Sequence, residues 1–77
     1  MFQCKVNLNS IDSVKEFVNV VAKFDIDMEL VSGRYVIDAK SIMGIFSLDL
    51  SKPVEFTIHA EESRCSDLLE QISKFIA

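Results

Sequence analysis

Asp38-Ala39-Lys40-Ser41-Ile42-Met43-Gly44 decides how the rest of this chain is read. An extended segment ends at Asp38, a serine in helix-capping position follows, and Ile42, Met43, Ile45 and Phe46 begin an apolar helix. Ser41 caps this helix, which the pattern carries through about Leu48, and Gly44 inside it marks close packing or a weak helix. On the N-terminal side, Ser32-Gly33 is a turn signal between two short strands, Asp25 to Val31 and Arg34 to Ile37, so the capped helix follows a hairpin. On the C-terminal side, Asp49 to Pro53 reads as a loop leading into a strand from Val54 to Ala60.

Further out, Phe2, Cys4, Val6 and Leu8 alternate with polar residues, the period of a strand with one buried face. Val14, Phe17, Val18, Val21 and Phe24 recur at spacings of three and four, which predicts an amphipathic helix of about four turns. Ser10 or Ser13 caps it, and Ser13 with Glu16 fits a capping box. Cys65, Leu68, Leu69, Ile72, Phe75 and Ile76 line one face of a closing helix with Ser63 as its cap. In the fourth strand, Phe56 and Ile58 take the buried face and Glu55, Thr57 and His59 the wet one; Asp25, Asp27 and Glu29 are the wet face of the second strand. The order is βαββαβα, an α+β domain, and the economical arrangement is a four-stranded antiparallel sheet with three helices on one face. Residues 1–77 are expected to form a single domain.

Composition excludes several function classes. A net charge of −4 with eight scattered Lys and Arg residues argues against direct binding of DNA or RNA. No apolar run approaches the roughly 18–20 residues of a membrane span, and no signal-peptide layout is present, so a soluble cytoplasmic protein is expected. A hydrophobic share of 49% in so short a chain points to a packed core and an apolar patch for a partner. Cys4 and Cys65 form neither a disulfide framework nor a metal motif. There is no glycine-rich phosphate loop, metal-ligand cluster or nucleophile–base pair, so no enzyme activity, metal or cofactor is expected. His59, the single histidine, is expected on the solvent side of its strand.

The Lys40-Ser41-Ile42-Met43-Gly44 core, Lys23-Phe24 after the first helix, Ser47-Leu48, and Ile58 with Ala60-Glu61 at a strand end together resemble HPr. HPr is the small histidine phosphocarrier of the bacterial sugar phosphotransferase system. The resemblance covers nearly the whole chain and implies the open-faced β-sandwich. Counting back from Lys23-Phe24, it places the family's active histidine at Ser10, its nearby arginine at Asp12 and its helix-opening proline at Ser13. An imidazole passes phosphoryl groups in both directions, and an arginine clamps the phosphate. A serine hydroxyl would form a stable ester, and a carboxylate repels the incoming phosphate.

The resemblance also makes Ser41 the family's regulatory serine, phosphorylated by the HPr kinase/phosphorylase, with Ile42, Met43 and Phe46 as the partner-binding surface beside it. The expectation is a non-catalytic regulatory protein, similar to the catabolite-repression HPr of some Gram-positive bacteria. Its partners would be that kinase and a transcription regulator of the LacI family, although Asp12 weakens the case for the latter. The simpler alternative takes Ser41 as an N-cap alone and the domain as an interaction module without phosphorylation. A third reading is a phosphocarrier using Ser10 or His59. A monomer or weak dimer is expected, with exchange of the first strand as the route to the dimer.

Overall fold

The computed structural model describes residues 1–77. The strands are β1 (Phe2–Val6), β2 (Met28–Ser32), β3 (Tyr35–Asp38) and β4 (Val54–Ile58); the helices are α1 (Ile11–Val21), α2 (Ile42–Phe46) and α3 (Ser66–Gln71). The βαββαβα order agrees with the sequence pattern. The four strands form one antiparallel sheet in the order β1-β4-β2-β3. Because β1 and β2 both pair antiparallel to β4, they are parallel to each other, and α1 makes the crossover between them. The crossover through α2 joins β3 to β4 in the same way.

Register explains which face is buried. Phe2, Ile58 and Met28 form one row across the sheet, and Cys4, Phe56, Leu30 and Ile37 form the next. These rows meet Val14, Phe17 and Val21 of α1, Ile45 of α2, and Leu68 of α3 in a single cluster of buried apolar residues. The intervening rows, Gln3-Thr57-Glu29-Asp38 and Lys5-Glu55-Val31-Val36, lie on the opposite, open face. Phe17 is fully buried at the centre of the core. Its ring stands edge-on to Phe56 at 5.1 Å and to Phe75 at 5.7 Å.

Several boundaries differ from the pattern. The first helix stops at Val21, one turn short of Phe24, which lies half-buried beyond it. Its capping box is made by Ser10 and Ser13, not by Ser13 and Glu16. Strand β2 begins at Met28, so Asp25 and Asp27 lie in the approach to the strand and only Glu29 is on its open face. The Asp27 carbonyl still accepts from the His59 N–H at 2.9 Å. The return strand β3 runs one residue later than expected, to Asp38, and α2 closes at Phe46, ahead of Leu48.

Strand β4 ends at Ile58, and Thr57 on its open face is buried. β4 has a neighbour on each side, so Gln3 and Glu29 flank Thr57 directly and cover its short side chain. Ser63 caps nothing: it sits in a 3-10 turn (Glu62–Arg64), and α3 starts behind Cys65 without a side-chain cap. The closing helix is also broken, with a second 3-10 turn at Ser73–Phe75. Ile76 leaves the apolar stripe to bridge Val6 at the β1 edge.

Cys4 and Cys65 are both free thiols, and partial burial pushes the Cys4 thiol up from its ordinary value.

Phe17 is the side chain on which helices and sheet both close. Phe17→Ala is expected to cost about 3–5 kcal/mol, a large part of the stability of a domain this small. Urea unfolding followed by circular dichroism measures it; a loss under about 1 kcal/mol would show that the core closes elsewhere.

Candidate functional site

Two serine-capped helix starts are the candidate sites, and their geometries differ. At the start of α1, Ser10 is an extended N-cap whose Oγ accepts from the Ser13 N–H at 3.1 Å, while the Ser10 N–H donates to the Ser13 Oγ at 3.1 Å. The two hydroxyls also bond each other at 3.0 Å, and the Ser13 hydroxyl donates to the Ser10 carbonyl at 2.9 Å. Both side chains are thus absorbed in closing the first turn. Asp12 places a carboxylate in that turn, where it favours the helix and opposes a second anion. Ile11 beside it is 63% exposed, although it continues the apolar spacing of the helix. Its position ahead of the first buried residue, Val14, is the signal that it reaches past the core.

At the start of α2, Ser41 is exposed and extended, and its Oγ accepts a single bond from the Gly44 N–H at 3.2 Å. Gly44 leaves room for this contact. A Cβ there would lie 3.1 Å from the Ser41 Oγ and 3.3 Å from the Ile37 Cδ1, so the glycine marks close approach rather than a weak helix. Lys40 holds the preceding turn: its Nζ donates to the Phe24 carbonyl at 2.7 Å, and its N–H donates to the Asp38 Oδ1 at 2.9 Å. The link from Lys40 to the turn after α1 was not signalled by the sequence, because it joins residues 16 apart through a backbone carbonyl.

Met43 and Phe46, three residues apart on α2, are 77% and 41% exposed. They form an apolar surface directly after Ser41. Ile42 contributes less to it: half-buried, it packs against the core. The other candidate, His59, is exposed on the open face of the sheet, where its Nε2 pairs with Glu29. No group of three His, Cys, Asp or Glu side chains is placed to hold a metal ion, and no helix is long and apolar enough to cross a membrane.

The family model described as the PTS HPr component phosphorylation site matches residues 11–77. Ser41, Met43 and Phe46 lie within the matched residues, and Ser10 stands immediately ahead of them. Among solved structures, the fold is similar to that of HPr-C-His from Thermoanaerobacter tengcongensis, with a TM-score of 0.74, 23% identity, and coverage of 96% of this chain and 93% of that one. It is also similar to the phosphocarrier protein HPr from Bacillus anthracis str. Ames, with a TM-score of 0.64, 20% identity and the same coverage of both chains.

Gly44→Ala tests the close approach at Ser41. In an ordinary helix interior this change stabilises by about 1 kcal/mol. Here it is expected to destabilise by about 1 kcal/mol, because the methyl group displaces the capping hydroxyl. A rise in the urea midpoint would show that the Ser41 Oγ is not tied to α2.

Proposed function

Because the chain belongs to the HPr family of the phosphotransferase system, we propose that it is a regulatory member that does not relay phosphate and is switched at Ser41. The carrying observation is the contrast between its two capping serines. Ser41 keeps an exposed hydroxyl with one capping bond beside an exposed apolar surface. Ser10, where the resemblance puts the relay histidine, is spent in a reciprocal capping box behind the Asp12 carboxylate.

Phosphorylation at Ser41 would add about −1.5 to −2 charges at neutral pH next to Met43 and Phe46. Apolar contact would then supply affinity and the phosphate would select the partner, one that presents an apolar groove rimmed by arginine. The family's kinase/phosphorylase is the modifying partner of this reading, and a LacI-type regulator similar to the one that reads catabolite-repression HPr is a candidate effector. On this reading the chain has no catalysis of its own. His59 is not the acceptor, since its Nε2 is engaged by Glu29 on the open face of the sheet, away from the helical layer.

A second reading keeps the apolar surface and drops the switch. The 77% exposure of Met43 favours it, since a residue so apolar and so exposed serves binding whether or not Ser41 is modified.

Incubation with ATP and an HPr kinase, followed by intact mass measurement, separates the two. The expected outcome is a gain of one phosphate that is lost in Ser41→Ala. No gain, or a gain that survives the substitution, leaves only the interaction module. In parallel, phosphoenolpyruvate with Enzyme I is expected to load nothing onto the protein. Acid-labile label would instead identify His59 as an acceptor, and acid-stable label Ser10.

A further inference from the structure

The two edges of the sheet are not equivalent. At the β1 edge, the Asn7 N–H donates to the Phe75 carbonyl at 2.7 Å and the Ala77 N–H to the Lys5 carbonyl at 2.9 Å, so residues 75–77 occupy the end of that strand. At the other edge, β3 has β2 on one side and nothing on the other. The Ala39 N–H points toward β2 and donates to the Met28 carbonyl at 3.1 Å. By the alternation of an antiparallel ladder, the backbone groups of Tyr35 and Ile37 point the same way, and the N–H and C=O of Val36 point out of the sheet. Val36 and Tyr35 are also 57% and 67% exposed. A free edge carrying exposed apolar side chains is a template for another strand.

The charges on this edge select its occupant. Glu29 and Asp38 are directly opposed on the open face, a like-charge pair. His59 pairs with Glu29, while Asp38 accepts the Lys40 N–H through Oδ1 and is in no ion pair. Arg34, four residues earlier in the turn of the hairpin, is in no ion pair either. When an antiparallel strand is repeated by a two-fold axis, both copies keep the same face up, so only residues on the same face can oppose each other. Centring the axis on Val36 sets Arg34 against Asp38 of the second copy, Tyr35 against Ile37, and Val36 against itself. The outward N–H and C=O of the two Val36 residues then bond reciprocally. Centring it on Ile37 instead would set Val36 against Asp38.

We propose that β3 is a self-association edge on which a second copy of this chain pairs antiparallel about Val36, extending the sheet and joining Arg34 of each copy to Asp38 of the other. The interface is isologous. A four-residue edge falls short of the roughly 1,200 Å² of a stable complex, so the dimer is weak and forms as protein concentration rises.

Analytical ultracentrifugation of the full chain over a broad concentration range tests this. The expected result is a reversible monomer–dimer equilibrium. Val36→Pro removes an N–H that the fold does not use, and is expected to abolish the dimer while circular dichroism stays unchanged. Arg34→Asp alone and Asp38→Arg alone each oppose like charges and should weaken association on the order of tenfold. Mixed together they should associate again, since each then faces its complement. If Val36→Pro or Asp38→Arg fails to fold, Arg34→Asp still gives the loss on the order of tenfold. A chain that is monomeric throughout overturns the proposal. So does a dimer that survives both Val36→Pro and Arg34→Asp, because it must form through another surface.

Discussion

Phe17 touches Phe56 of the central strand and Phe75 of the C-terminal turn edge-on, and the seating of α1 between the sheet and the C-terminal turn depends on that contact. Edge-to-face packing lets three aromatic side chains share one site without a void, adding about 0.5–1.5 kcal/mol per pair beyond the area they bury. It joins three parts of the chain that are distant in sequence: the crossover helix α1, the inserted strand β4 and the last turn. The valine-rich α1 has little helical preference of its own, so packing through Val14, Phe17 and Val21 holds it. Lys74 adds an ion pair to Glu16, fastening the same turn to α1 from the solvent side.

With the helical layer fixed, the start of α2 becomes a well-defined surface. Lys40 ties its approach to the Phe24 carbonyl in the turn after α1, Gly44 admits the Ser41 hydroxyl, and Ile42 and Ile45 anchor the helix from below. Met43 and Phe46 are then left outside by geometry, because a five-residue helix with one face on the core must present the other to solvent. In the reading proposed above, a phosphate added to the Ser41 hydroxyl would change the charge at this point without entering the core. The start of α1 is organised differently. Its two serines satisfy each other and Asp12 settles the helix dipole, so the local chemistry serves helix closure.

The opposite side of the sheet follows a separate electrostatic logic. Lys5 faces Glu55 across the β1–β4 pair, while His59 is hydrogen-bonded to Glu29. Toward the β3 edge the ion pairs run out: Asp38 accepts only the Lys40 N–H, and Arg34 is in no ion pair.

Periodicity in the chain determined the element types and their order. Alternation in Phe2–Leu8 and in Val54–Ile58, and three-four spacing in Val14–Val21, are local consequences of side-chain direction that need no partner to be read. The lone histidine at His59, the serine cap at Ser41 and the apolar residues after it were equally legible. Tertiary structure decided what depends on neighbours: the burial of Thr57 between two strands, the replacement of a continuous closing helix by two 3-10 turns around α3, and the pairing of residues 75–77 with β1. It also decided that Ser10 and Ser13 cap each other and that Lys40 reaches the Phe24 carbonyl. Such features arise when a side chain or backbone group finds its partner only after the chain has closed on itself, and the residue types alone carry no record of which partner that is.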